Sequence, residues 1–477
     1  MSVYLIRPMT PKTSQGGLVS VQYPINLGYL ASYLQMKGIV CFARDFEVEA
    51  FSESEFLASI KRAKPCIVGF SCMTPHIKSG ARLAKMVKDN FPHILTVLGG
   101  VHGSGIPKQT LEEFPQFDVI VCGEGEQTLV ELYHAWLDRR IDLVAGIAFR
   151  ANDTEINDTE IKINPPRPLI DNLDDIPFPN RDMIDIGNYR KSHVSRGHSR
   201  KTKRIAEITC SRGCPYDCIF CASKVVHSRR VRFRSPENII AEIGYLIDTY
   251  GIEHLSFLDD TFTLKREILK PVCEYMGLKG VSFDSYTRVS DINEEKMDIM
   301  VSNGCKKISF GIESGSPRIL KLIRKGITVE QAERAFTIAR KAGLHTIEGT
   351  FMIGCHPDET LEDIEMTKNL IHKLRPDIMA LNIAIPYPGT ELNRILKERG
   401  ILKSEDWDEF VLFFSNPSWE LGSVPMKEIK RILKQITYGY YLRPSYVLKT
   451  ISRNASPKEL RYWFSLGFSF LKTRFIQ

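Results

Sequence analysis

No apolar run in the sequence reaches the ~18 residues needed to cross a bilayer, and the longest late one, residues 462–471, stops well short. No secretory leader is visible either: the opening MSVYLIRPMTPK breaks its apolar start at Arg7 and Pro8. Charge of one sign is scarce, since 64 basic and 57 acidic side chains leave a net +7 over 477 residues. So mild an excess argues against a nucleic-acid binder. A disulfide framework is missing too, because eleven cysteines is an odd number and no leader directs the chain outward. These absences predict a cytoplasmic protein. At 43% hydrophobic and 25% charged, the composition is that of a globular chain rather than a disordered or fibrous one. Its length predicts two to four domains.

Residues 1–140 alternate short apolar runs with amphipathic stretches. Residues 3–6, 66–71, 95–98 and 119–121 read as buried parallel strands, and 27–37, 78–89 and 126–138 as helices between them. That pattern predicts a doubly wound α/β domain with its ligand at the carboxyl ends of the strands. The turns there are SCMTPH (71–76), GGVHGSG (99–105) and GEGEQT (123–128). Periodicity lapses over 141–200, where NPPRP and IPFPN mark an extended linker. From 201 to 400 it returns as six strand-then-helix units, with strands expected at 204–208, 255–258, 282–287, 307–311, 346–353 and 379–385. Six units predict an open, three-quarter version of a parallel barrel, with reactive groups on the loops after the strands. Residues 401–477 read as a small helical, aromatic element.

Four cysteines fall in the string CSRGCPYDCIFC: Cys210, Cys214, Cys218 and Cys221. The spacing of the last three supplies three ligands to a 4Fe-4S cube from one short loop and leaves one iron open to a small molecule. Closed sites, a four-cysteine zinc site or a ferredoxin-like cluster, require Cys210 as well, and Cys210 reads better as a packing residue at the end of a strand. The other seven cysteines, scattered among apolar neighbours, read as buried small hydrophobes.

The spacing Cys-x3-Cys-x-aromatic-Cys, with Phe220 as the aromatic, resembles that of the radical SAM superfamily. LDDTFT (258–263), YTR (286–288), FGIESGS (310–316), FMIGCHPDET (351–360) and IPYPGTEL (385–392) extend the resemblance down the barrel. With YPINLGYLASYL (23–34), GGVHGS and GEGEQTLVEL, the chain resembles the subgroup that carries an N-terminal cobalamin-binding domain. The resemblance implies a Rossmann-like cobalamin domain, a partial (β/α)6 barrel, and three cofactors: a 4Fe-4S cluster, S-adenosylmethionine and cobalamin. It implies that Cys214, Cys218 and Cys221 hold the cluster and that Phe220, Asp259, Asp260, Arg288, Glu313 and Gly315 bind S-adenosylmethionine. The aspartates would meet the methionyl ammonium, Arg288 the methionyl carboxylate and Glu313 the ribose hydroxyls. Asp259 and Asp260 also suit a helix N-cap, and Arg288 a surface ion pair. For cobalamin the implied residues are Ser71, Thr74, Gly99, Gly100, His102, Gly123, Glu124, Gly125 and Glu126.

One departure matters. The string Asp-x-His-x-x-Gly, whose histidine ligates cobalt from below in methionine synthase and the mutases, does not occur. His76 and His102 lack its spacing and are expected as wall residues, so cobalt is expected without a protein histidine beneath it.

The activity implied by the resemblance is methylation of an unactivated carbon. One S-adenosylmethionine yields a 5′-deoxyadenosyl radical that activates the substrate, and a second replenishes the methyl group on cobalamin. A ring cyclisation like that of the anaerobic chlorophyll-pathway cyclase is the alternative. Methylthiolation of tRNA is disfavoured by the lack of a second three-cysteine set, and a cobalamin sensor would not need the cluster cysteines. The expected partners are a small-molecule or lipid-like substrate and a reductant such as flavodoxin or ferredoxin, with no nucleic acid. Residues 437–477 carry seven basic side chains, one acid and ten aromatics. That tail fits contact with an anionic membrane, and it fits equally well aromatics packed on the barrel.

Overall fold

The computed structural model describes residues 1–10, 21–153, 158–189, 204–403, 406–411, 417 and 419–453. Its first sheet begins with five parallel strands, β1 (Ser2–Arg7), β2 (Val40–Asp45), β3 (Pro65–Ser71), β4 (Leu95–Gly99) and β5 (Val119–Val121). The helices around them are α1 (Ile25–Met36), α2 (Glu53–Ala63), α3 (Ile77–Asn90), α4 (Val101–Gly105), α5 (Pro107–Glu113) and α6 (Glu126–Leu137). Strand order is β2-β1-β3-β4-β5, so the order reverses between β1 and β3 and opens a crevice at their carboxyl ends. Strand β2 escaped the sequence reading because it is an edge: Val40 and Phe42 are exposed and alternate with buried Cys41, Ala43 and Asp45.

The sheet also runs past residue 140. Strands β6 (Ile147–Asp153) and β7 (Asp158–Ile163) add to it antiparallel, in a stretch expected to be linker. Strand β7 is the edge, and β6 inside it buries the short run Ile147, Ala148 and Phe149, so the pair is held by backbone pairing and shows little apolar period. The connector beyond them is tied down. The hydroxyl of Tyr23 donates to Asn180 O at 2.5 Å, and buried Arg181 donates to Glu207 O at 2.5 Å and lies 3.3 Å from Glu242.

The second sheet holds six parallel strands in the order β15-β14-β13-β12-β11-β8. In chain order they are β8 (Ile205–Ile208), β11 (His254–Phe257), β12 (Ser282–Arg288), β13 (Cys305–Glu313), β14 (Thr346–Ile353) and β15 (Ile378–Ile383). Between the first two lies a ribbon of β9 (Ser211–Arg212) and β10 (Arg232–Phe233), joined through α7 (Ser223–His227). The packing helices are α8 (Pro236–Tyr250), α9 (Arg266–Lys279), α10 (Glu294–Ser302), α11 (Pro317–Leu322), α12 (Val329–Lys341), α13 (Leu361–Leu374) and α14 (Glu391–Glu398). Their starts are written in sequence: Ser235 caps α8 with Pro236 behind it, and Thr328 with Gln331 and Thr360 with Asp363 form capping boxes. Along β14, Ile347, Gly349, Phe351 and Ile353 are buried, while Thr346, Glu348, Thr350 and Met352 lie half-buried on the opposite face. That second face is polar across the sheet, with Lys307 3.1 Å from Glu348 and His254 2.9 Å from Asp284.

The two sheets share packing. One buried apolar cluster runs from Ile6, Phe70 and Phe117 in the first domain to Phe310, Phe351 and Ile429 beyond it. Gly105 meets Gly389 backbone to backbone: a Cβ on Gly105 would stand 2.7 Å from Pro388 O, and Gly389 has φ +77°. Such an approach needs a glycine on each side.

The final described helices, α15 (Met426–Tyr441) and α16 (Pro444–Arg453), cover the β15 edge. The Tyr441 hydroxyl accepts from Met379 N at 3.0 Å and donates to Met379 O at 2.8 Å, Tyr446 donates to Asp377 O at 3.0 Å, and Tyr440 donates to Pro376 O. Three of the ten tail aromatics are therefore occupied by the barrel. Tyr462, Trp463, Phe464, Phe468, Phe470 and Phe475 lie outside the described residues. Among the described residues no helix is long and apolar enough to cross a membrane.

Candidate functional site

A cavity of about 570 Å³ lies where the carboxyl end of the first sheet faces the loops after β8 and β11. Apolar Leu5, Leu27, Leu30, Val97, Val121 and Leu129 line its depth, Ser71, Gly99, Gly100, Gly123, Glu124, Gly125 and Glu126 its rim, and Cys221, His227, Asp259 and Asp260 its roof. Two of the rim glycines differ in kind. Gly100 has φ +101° and its Cβ would stand 2.5 Å from Cys72 O, so the backbone alone demands glycine. At Gly99 a Cβ would meet nothing nearer than Phe70 O at 4.0 Å, so no packing in the chain requires glycine there. The space it leaves open belongs to the cavity, a cradle fit for a large planar ligand such as a corrinoid.

Thr74 and His102 do not join this rim. Both are buried behind it, with His102 Nδ1 3.4 Å from Thr74 Oγ1 and its ring edge-on to Trp407 at 4.9 Å. Helix α4 starts directly after Gly100 and turns His102 inward, and burial pushes its imidazole down to about 3, leaving it neutral. His76 is likewise withdrawn, 3.1 Å from Glu47.

Glu124 lines the cavity, yet its carboxylate is engaged by the protein. It accepts from Arg232 at 2.8 Å on each oxygen, from Arg212 at 3.2 Å and from Ile170 N at 3.0 Å, with His227 Nδ1 at 3.4 Å. Burial works to raise its pKa, but bonds from His227 and Arg232 and the charge of Arg212 win and hold the carboxyl well below the usual range. Glu126 pairs with the same Arg212 at 2.6 Å. The rim is thereby bolted to the segment that leads into the cysteine loop. Arg212, Arg232 and His227 escaped the sequence reading, although Arg212 sits inside the cysteine string itself.

In that loop Cys221 N donates to Cys218 O at 3.2 Å, and Ser223 N approaches Cys221 Sγ at 3.5 Å. Burial, then the charges of Asp260, Cys218 and Cys214, push the Cys221 thiol up to about 11; burial also raises Cys214. Thiols such as Cys214 and Cys221, whose ionisation burial opposes, suit a polycationic group that stabilises thiolates. Among the described residues no three His, Cys, Asp or Glu side chains converge to hold a single metal ion. A cube differs, since each thiolate binds its own iron, and a soft all-thiol donor set matches it. Cys210 is buried in the core, with its thiol raised well above its ordinary value.

The remaining candidates surround the loop. Buried Asp259 accepts from Cys210 N at 3.0 Å on each oxygen and from Ser211 Oγ at 2.5 Å, and burial lifts it to about 6. Asp260 is exposed at the cavity wall and accepts from Ser223 Oγ at 2.5 Å. Arg288 stacks 3.5 Å over the Tyr216 ring beside Cys218, away from the cavity lining. Glu313, at φ +73°, pairs with Lys325 at 2.8 Å, and Lys325 Nζ stands 5.9 Å from the ring of partly buried Phe220. Gly315 has a reason in the chain: a Cβ there would lie 2.4 Å from Met366 O of α13.

Comparisons agree with this layout. A model of the radical SAM superfamily matches residues 208–371, and a model of the B12 binding domain matches residues 18–133. An uncharacterized methyltransferase of Pyrococcus horikoshii, PH0819, is 34% identical over 454 residues, covering 94% of this chain and 95% of that one. The anaerobic magnesium-protoporphyrin IX monomethyl ester cyclase of Rubrivivax gelatinosus is 31% identical over 386 residues, covering 79% of this chain and 66% of the cyclase. In fold, the chain is similar to the cobalamin-dependent S-adenosylmethionine radical enzyme OxsB with aqua-cobalamin bound, at a TM-score of 0.73, 18% identity, and coverage of 99% of this chain and 72% of that one. With both family models matched, and an identity of 34% along nearly the full length of both chains, the protein belongs to the radical SAM enzymes that carry a cobalamin-binding domain.

Proposed function

We propose that the protein methylates an unactivated carbon of a small molecule. The observation that carries this reading is a single cavity lined both by the rim glycines of the first domain and by Cys221 and Asp260 of the barrel. Two cofactor sites that open on one space allow a radical formed at one to meet a methyl group held at the other. When bound, the cluster with S-adenosylmethionine supplies hydrogen abstraction and the corrinoid supplies methyl.

The chain's own part is positioning and exclusion of water. Cys214, Cys218 and Cys221 hold the cluster. Of the aspartate pair, Asp260 receives the methionyl ammonium, because Asp259 is spent on the backbone of Cys210 and fixes the loop instead. Glu313 and Lys325 offer a carboxylate and an ammonium for the ribose and carboxylate of S-adenosylmethionine. Gly99, Gly100, Gly123, Gly125 and Ser71 bear on the corrinoid, while Glu124 and Glu126 act through Arg212 and Arg232 to hold roof against rim.

Methylation is favoured over cyclisation because the methyltransferase relative aligns along nearly its whole length, whereas the cyclase extends well beyond what this chain covers. A low-potential one-electron donor of the flavodoxin or ferredoxin kind is needed. Tyr440, Tyr441 and Tyr446 serve the barrel edge, which favours a diffusing substrate over a membrane lipid. The test is anaerobic reconstitution with iron, sulfide and cobalamin, then incubation with reductant, S-adenosylmethionine and metabolite extract. Methylation predicts 5′-deoxyadenosine, S-adenosylhomocysteine and a mass gain of one methylene; deoxyadenosine without S-adenosylhomocysteine rejects it.

A further inference from the structure

Arg288 is a buried cation without a buried anion. Its side chain closes β12, the residue is 5% exposed, and among the described residues no aspartate or glutamate stands within ion-pairing distance of its guanidinium. Nη2 donates to Lys325 O, Nε has no acceptor, and Nη1 points at Cys218 Sγ from 3.9 Å. The guanidinium is held there by its stack on Tyr216 at 3.5 Å, and the Tyr216 hydroxyl is anchored to Asp291 at 2.8 Å. Burying an unpaired guanidinium is costly unless an anion arrives with a ligand. The nearest place for that anion is the sulfur of Cys218.

We infer that Arg288 is the counter-cation of the iron-sulfur cluster and raises its reduction potential through Cys218. The inference rests on the proposed reading that Cys214, Cys218 and Cys221 hold the cluster. One-electron reduction adds a negative charge to a group already carrying three thiolates. An N–H donor and a full positive charge beside one of them, shielded from water, stabilise the reduced form more than the oxidised one. Tyr216 is then a positioning residue: it lies in sequence between Cys214 and Cys218, and its ring holds the guanidinium that faces Cys218. This role differs from pairing with the methionyl carboxylate, because it operates before S-adenosylmethionine binds.

The test is a reductive titration of the full chain, reconstituted anaerobically with iron and sulfide, using titanium(III) citrate as the one-electron donor. The signal of the reduced cluster is followed by electron paramagnetic resonance, without S-adenosylmethionine or cobalamin. Arg288→Gln is expected to hold about tenfold less reduced cluster at a fixed potential, equivalent to ~59 mV for one electron. Arg288→Lys should fall between it and the wild type, and Tyr216→Leu should shift the same way by less. If Arg288→Gln fails to load iron, Arg288→Lys and Tyr216→Leu still decide the matter. Wild-type potentials in fully loaded variants overturn the inference, and if only their affinity for S-adenosylmethionine falls, Arg288 serves the carboxylate alone. A wild-type protein that takes up no cluster overturns the underlying reading instead.

Discussion

Glu124 and Arg232 face each other through two bonds of 2.8 Å, one to each carboxylate oxygen, across 108 residues of chain. The glutamate belongs to the turn before α6 and the arginine to the ribbon strand β10, so this fork joins the cavity rim of the first domain to the ribbon that flanks the cysteine loop. Both groups are buried. Pairs of this geometry specify an orientation as much as they stabilise a fold.

Removing one partner strands the other. Glu124→Ala is expected to cost about 3–5 kcal/mol of stability, read as a lowered midpoint of thermal unfolding. The pH dependence has a definite sign. A carboxylate held below its ordinary value of 4.5 stabilises the native state fully above that value, and its contribution is lost as pH falls. The variant should therefore lose the part of the wild type's expected acid limb below pH 4.5 that comes from this carboxylate.

The two rim glycines should separate binding from stability. A Cβ at Gly99 meets nothing nearer than Phe70 O at 4.0 Å, so with Gly99→Val cobalamin retention, measured by corrinoid absorbance after gel filtration, should fall while the apoprotein's thermal midpoint holds. Gly100→Ala strains a left-handed residue against Cys72 O and should lower the midpoint itself.

Cysteine substitutions should divide three against one. Alanine at Cys214, Cys218 or Cys221 is expected to abolish iron retention and 5′-deoxyadenosine formation. Cys210→Ala should keep a full complement of iron and cost roughly 1 kcal/mol in denaturant unfolding, as for a small cavity in the core.

Glu359 predicts the opposite pH trend to Glu124. It is buried after β14, accepting from Gly354 N and from Cys355 N at 3.1 Å, and burial lifts it to about 7. Between its ordinary 4.5 and about 7 the native state binds the proton more tightly than the unfolded chain does, so stability drops as pH rises through that window. Glu359→Gln should flatten this part of the stability profile.

Cobalt should show no nitrogen beneath it. His76 and His102 are packed away from the cavity, and the histidine that lines it among the described residues, His227, comes from the roof and lies beside Glu124. The cob(II) resonance is expected to lack nitrogen superhyperfine splitting, and its appearance would overturn this expectation.

Strands with strong apolar runs, such as 65–71 and 346–353, and the cysteine string were legible because each carries its own local signal. Edge strands β2 and β7 were not, since an edge can carry polar residues, and β6 was not because its apolar run, Ile147 to Phe149, is too short to signal a strand alone. Motifs were enough to bring Cys221, Asp260 and Gly99 to one cavity. Arg232, His227 and Lys325 were hidden because their roles arise from tertiary contact with residues far along the chain, Lys325 through Glu313 and Arg232 through Glu124. Thr74 and His102 misled for a related reason: a turn predicts which residues are near a crevice, and the helix that follows decides which way they point.

The hydroxyl of Tyr441 occupies both hydrogen-bonding groups of Met379 on the outermost strand of the barrel. A strand left bare at that position is a template on which any extended segment can continue the sheet. Here a side chain ends the ladder where a further strand would otherwise begin, so the open edge of the barrel is not an invitation to aggregation.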